Sequence, residues 1–120
     1  MKLVASPKGG FTLVEIMIVV AIIGLLASIA LPNFVKARQT AQTNTCISNL
    51  RQIDGAVQRW ALEHNKASSD AVTSTDVVPY LGRGSAGQWP TCPASGTYTV
   101  TDCQTRPDCS KSAQGHILPQ

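Results

Sequence analysis

The feature that most constrains this chain is the run from Phe11 to Leu31, in which Glu15 is the one charged residue. A helix of about 21 residues, rising about 1.5 Å per residue, is roughly 30 Å long, the thickness of a bilayer's hydrocarbon core. Such a segment does not suit a soluble core, so of 120 residues only about 90 are left for anything globular, enough for one modest domain. A cleaved secretory signal peptide is the competing reading, because Lys2 and Lys8 make a basic start and Ala27-Ser28-Ile29-Ala30 mimics a small-residue cleavage site. Its apolar core would span about 7 to 15 residues, however, and this run is longer. The run is therefore read as transmembrane.

Charge narrows the partners. The formal net charge is +3, but Lys2 and Lys8 precede the apolar run, and without them the ten Lys and Arg fall to eight against seven acidic residues. Arg83, Arg106 and Lys111 are scattered along the tail, so nucleic acid is not expected as a partner. Lysines ahead of the run predict that the leader stays cytoplasmic while the rest is exported. The four cysteines, Cys46, Cys92, Cys103 and Cys109, then favour disulfides in an oxidising compartment, with three possible pairings.

Beyond Pro32, Cys46, Leu50, Ile53, Val57 and Trp60 recur at steps of four, three, four and three, which is one face of a helix. Arg51, Asp54, Gln58, Arg59 and Glu63 occupy the other face, with Arg59 and Glu63 spaced for a weak supporting pair. Gly55 costs the helix about 1 kcal/mol relative to alanine, which points to close packing or tolerance rather than a break. One long helix is predicted from about Phe11 to about His64, kinked near Pro32, a rod of roughly 80 Å.

The tail reads differently. A short helix is expected over Asp76 to Leu81, with Thr75 as cap and Gly82 as stop. "GTYTVTDC" alternates Tyr98 and Val100 with threonines, "QTRPD" supplies a turn, and a second strand is expected near Gly115 to Leu118. Such a hairpin must lie on the Leu50, Ile53, Val57 and Trp60 stripe, with Val77, Val78, Tyr80, Leu81 and Trp89 between them. The fold class is α+β. Disulfides, each worth about 2 to 4 kcal/mol, would support a thin core.

Little in the tail reads as reaction chemistry. Cys92, Cys103, Cys109 and His116 are separated by gaps of ten, five and six residues and lack the CxxC knuckle of typical zinc sites, so no metal and no cofactor are expected. Cys103 and Cys109 are instead placed to face each other across the hairpin turn, with Cys46 needing a partner from the tail. His64 and His116 read as a solvated helix end and a solvated strand residue, and Trp60 and Trp89 as packing. No phosphate-binding glycine loop or nucleophile motif is present, and the chain is read as non-enzymatic.

"KGGFTLVEIMIVVAIIGLLASIALP", Lys8 to Pro32, resembles the amino-terminal signature of type IV pilins and the pseudopilins of type II secretion systems. The resemblance implies a pilin-like fold made of a leader, residues 1–10, an assembly helix, 11–32, and a small globular domain, 33–120. It implies that a prepilin peptidase cuts between Gly10 and Phe11 and methylates the new amino group of Phe11. It also implies polymerisation through the amino-terminal helix. Gly10 suits a cleavage site because a residue without a side chain allows close approach.

In such a filament the ionised Glu15, costly in lipid, would pair with the amino terminus of a neighbouring Phe11. Gly24 and Pro32 bracket the stretch where similar subunits are thought to melt or kink. "CISNLRQIDGAVQRWALEHNK", "PTCPASGTYTV" and "GHILP" further resemble small cysteine-containing pseudopilin-like proteins found with type II secretion genes, although the carboxylate-rich loop of a calcium site is not evident.

The implied partners are copies of the same chain in a helical filament, the peptidase, an inner-membrane assembly platform, minor pseudopilins or pilins, and the membrane before assembly. The implied location is the bacterial inner membrane, single-pass, with the carboxy-terminal domain periplasmic, and then a periplasmic or extracellular filament. The small globular part favours a secretion pseudopilus. A surface pilus serving adhesion, motility or DNA uptake remains open, as does a simple signal-anchored periplasmic protein.

Overall fold

The computed structural model describes residues 9–82 and 87–120. The leader up to Lys8, and Arg83, lie outside them. One helix, α1, runs over Leu13–Glu63, close to the predicted limits. The chain divides into two compact units, Met1–Ala37 and Arg38–Gln120.

In the first unit the described apolar side chains have no cover. Phe11 is 82% exposed and Leu13 74%, and no residue between Phe11 and Ala37 is buried. The helix is long and apolar enough to cross a membrane. It is continuous through Gly24 and Pro32. Pro32 has no N–H to give to the Ser28 carbonyl. Around it polar side chains bond back to the helix, Ser28 Oγ to the Leu25 carbonyl at 2.7 Å and Asn33 Nδ2 to the Ile29 carbonyl at 3.2 Å. Such side-chain bonds let a helix tolerate proline where water is scarce.

In the second unit the predicted stripe is the core: Cys46, Leu50, Ile53, Val57 and Trp60 are all buried, joined on the helix by Ala56 and Ala61. Val72, Val77, Leu81 and Tyr98 close over them, and Val78, Tyr80 and Trp89 pack partly buried at the margin. The helix ends where Asn65 takes a left-handed conformation (φ 50°) and the Lys66 amide reaches the Ala61 carbonyl at 2.9 Å, a closure that asparagine tolerates better than most residues. The expected Arg59–Glu63 pair gives way to other partners. Arg59 Nε donates to the Gly55 carbonyl at 3.2 Å, and Glu63 receives the Tyr80 hydroxyl.

Three expectations for the tail are corrected. The short helix is α2, Ser74–Val77, continued as a 3₁₀ turn over Val78–Leu81. Its cap is Thr73, not Thr75, because Asp76 stands three residues after Thr73 and its carboxylate accepts the Thr73 amide at 3.0 Å, as in a capping box. Gly82 does end it, at φ 62°.

The hairpin pairs β1, Tyr98–Thr99, with β2, Asp108–Cys109, antiparallel, with Tyr98 opposite Cys109. Gly115 to Leu118 is not a strand. A 3₁₀ turn over Ser112–Gln114 ends at Gly115 with φ 86° and turns the chain, so that His116, expected in solvent, is buried.

Two carboxylates hold turns in the tail. Asp76 is kept below its ordinary value of 3.8 by the Thr73 hydroxyl and then the Thr73 amide. Asp102 is lowered by the Thr105 amide, then the Thr105 hydroxyl, with the Gln104 amide adding. A folded-state value below the unfolded one means stability that is complete above the ordinary carboxylate range and is lost as pH falls through the folded value. The urea midpoint should therefore fall on acidification below about pH 4. Asp102→Asn should flatten that fall while lowering the midpoint at neutral pH.

Gly55 makes a separate prediction. A Cβ there would meet nothing within 4 Å, so its helix cost is tolerance and not packing. Gly55→Ala should raise stability by about 1 kcal/mol, read as a higher urea midpoint.

Candidate functional site

At the amino end, Gly9, Gly10, Phe11 and Glu15 line one recess. A Cβ on Gly9 or Gly10 would meet nothing within 4 Å, so no contact among the described residues requires glycine there. Thr12 precedes the first residue of α1, and its hydroxyl accepts the Glu15 amide at 3.2 Å while the Thr12 amide points back to Glu15 Oε2 at 3.5 Å. This is a reciprocal cap, with the Glu15 carboxylate lying at the positive end of the helix dipole. The signal was present in the sequence as Thr12-Leu-Val-Glu15, a T-x-x-E box that the transmembrane reading of the segment passed over.

The expected disulfide residues fall into two places. All four cysteines are free and buried. Cys103 lies apart, beside Gln58, whose Nε2 donates to the Cys103 carbonyl at 3.0 Å, and the expected Cys103–Cys109 bond is not formed. Burial, with the nearby Asp70 and Asp102 carboxylates, raises the Cys103 thiol.

Cys46 from α1, Cys92 from the loop before β1, Cys109 from β2 and His116 from the turn after the last 3₁₀ segment converge, with one ligand atom from each within 4.8 Å of the others. Burial pushes Cys46 up to about 12, against the Tyr98 hydroxyl that donates to it, while Cys109 and Cys92 add to the rise. Burial would also raise Cys92, but the Ala94 and Gly96 amides bond its sulfur and bring it below the ordinary 9.0. Asn49 Nδ2 steadies the Tyr98 hydroxyl at 3.1 Å.

The amino-terminal stretch of α1 is thus an uncovered apolar helix, long enough to cross a membrane, that begins at a capped carboxylate. Residues 6–31 match the family model of the prokaryotic N-terminal methylation motif. The type IV major pilin protein PilA of Myxococcus xanthus is 44% identical over 62 residues, 52% of this chain and 28% of that protein. The type II secretion system core protein G of Klebsiella pneumoniae is 37% identical over 57 residues, 48% of this chain and 41% of that one. A type IV major fimbrial protein FimA of Dichelobacter nodosus is 35% identical over 96 residues, 80% of this chain and 62% of its own length.

The chain thus spans less than two thirds of these relatives. No solved structure matches it. The chain carries the N-terminal methylation motif and is similar to type IV pilins and to a type II secretion core protein over the stretches given. The expectation that it is not an enzyme agrees with relatives that are named pilins, fimbrial proteins and secretion-system core proteins.

The cap predicts a local effect. Thr12→Val removes the acceptor of the Glu15 amide and should weaken the first turn by about 1 kcal/mol. Faster hydrogen exchange at the amides of residues 13–16 in micelles, with the rest of α1 unchanged, is the expected result.

Proposed function

We propose that this protein is a structural subunit of a type IV pilus-like filament, most specifically a pseudopilin of a type II secretion system, cut between Gly10 and Phe11 and methylated on Phe11. The observation that carries the reading is the pairing of an uncovered apolar stretch at the start of α1 with one carboxylate, Glu15, in its first turn. Exposed apolar surface on this scale needs lipid before assembly and other helices after it. Glycines that no internal contact requires fit a demand imposed by a peptidase.

In this reading the leader is cytoplasmic, the carboxy-terminal unit is periplasmic, and the subunit leaves the membrane through an assembly platform to join copies of itself and minor subunits. Glu15 takes the amino terminus of a neighbour's Phe11. The pair works as a register device, since desolvation offsets most of its attraction. Gly24 and Pro32 mark where α1 gives way during assembly. The small carboxy-terminal unit and the protein G relatives support the secretion pseudopilus. The FimA relative, which matches most of this chain, supports a surface pilus in adhesion, motility or DNA uptake as the second reading.

Mass spectrometry of the assembled protein should find methylated Phe11 at its start, and an intact Met1 would refute processing. Glu15→Gln separates the two roles of the carboxylate, because glutamine keeps the capping box and removes the charge. Glu15→Gln should insert normally and form no filaments, as should Glu15→Leu. Normal filaments from the glutamine variant, seen by electron microscopy, would refute charge pairing.

A further inference from the structure

Filament assembly through the amino-terminal helix gives no role to the buried cluster in the second unit. Three thiols there cannot pair off: one disulfide would leave the third thiol and an imidazole buried together. A metal ion uses all four groups.

The spacing fits. Cys92 Sγ and His116 Nδ1 are 3.5 Å apart, and all four ligand atoms lie within 4.8 Å of one another. A tetrahedral zinc ion bound by sulfur at about 2.3 Å and nitrogen at about 2.0 Å sets a sulfur and a nitrogen about 3.6 Å apart and two sulfurs about 3.8 Å apart. The set contains no carboxylate, so it selects a thiophilic ion over calcium or magnesium.

The surroundings are those of ligands held in place. The Thr43 hydroxyl donates to the Gln39 carbonyl at 3.1 Å, so at 3.2 Å it accepts from His116 Nε2. The ring proton is thereby placed on Nε2, and the Nδ1 lone pair faces the sulfurs, the orientation that a partner on the far nitrogen gives a metal-bound histidine. Tyr98 donates its hydroxyl to Cys46, and the Ala94 and Gly96 amides bond Cys92. Three thiolates on a divalent ion leave one net negative charge, which such donors would satisfy. A Cβ on Gly96 would lie 3.0 Å from Cys109 Sγ, so the chain stays bare where it passes closest to that sulfur.

We propose that Cys46, Cys92, Cys109 and His116 form a closed Cys3His site for one zinc-class divalent cation, which ties the carboxy-terminal tail to α1. Four protein ligands make it a structural site with no open position. Cys103 takes no part. The inference does not depend on which filament, if any, the chain enters.

The test uses the full chain in detergent, reduced, stripped of metal with a chelator and titrated with Co2+ and then Zn2+. One equivalent of cobalt should give the intense visible and near-ultraviolet bands of tetrahedral thiolate coordination, and zinc should bleach them. Zinc should slow the reaction of Cys46, Cys92 and Cys109 with a thiol reagent relative to the metal-free chain and leave that of the separately buried Cys103 unchanged. Cys103→Ser should bind metal as the wild type does, and His116→Cys should keep a tetrahedral spectrum. Thr43→Val should weaken cobalt binding roughly 10- to 100-fold. A disulfide among Cys46, Cys92 and Cys109 in protein isolated from cells, only octahedral cobalt, or equal loss from Cys103→Ser and Cys109→Ser would each overturn the site.

Discussion

Everything after Glu63 depends on one stripe of α1. The tail has two strands of two residues each and a few short turns, far less regular structure than an independent sheet needs. It holds its shape because Cys46, Leu50, Ile53, Val57 and Trp60 present a continuous apolar face on which Val72, Val77, Leu81 and Tyr98 rest. Helix side chains bind the irregular backbone where the stripe alone would leave it loose. Gln42 donates to the Pro93 carbonyl, Asn49 to that of Thr91 and Gln58 to that of Cys103. Each such bond is worth about 1 kcal/mol net, so three of them align the tail more than they secure it.

The Cys3His cluster falls where a stronger tie has most effect. It joins the helix at Cys46 to the loop before β1, to β2 and to the last turn of the chain, closing loops of more than forty residues. A cross-link over long loops removes more freedom from the unfolded chain than one over short loops, and a metal bound only by the folded chain adds its binding free energy to folding. A domain with so thin an apolar core is where such a staple is expected.

The stripe was legible in the sequence because its period is local: each step from Cys46 to Trp60 is one helical turn. The fold class followed, since the tail had to cover that face. The local misreadings came from competition between plausible partners. Thr75 lost to Thr73 because the capping carboxylate, Asp76, is three residues from Thr73. The Gly115–Leu118 segment has strand composition, but the left-handed turn at Gly115, which carries His116 into the buried cluster beside Cys92, is incompatible with a strand. The cluster itself was hidden for a different reason. Its ligands come from four separate segments, and a test for knuckle spacing sees only ligands that are neighbours in sequence. The hairpin turn suggested that Cys103 faces its near neighbour Cys109, whereas tertiary packing sends them to different places.

Glu15 shows why a costly residue can sit at the head of an apolar helix without spoiling the isolated chain. Its carboxylate already faces the Thr12 amide, at the helix end where dipole and unpaired N–H groups favour negative charge. That contact is long, 3.5 Å, and occupies one of two oxygens, while a carboxylate offers about four acceptor positions. An approaching amino group from another subunit need not break the cap; it can add to it on the free oxygen. The cap keeps the carboxylate at the helix start, and in the proposed filament that placement would let a neighbour's amino terminus find it at one register and not at others.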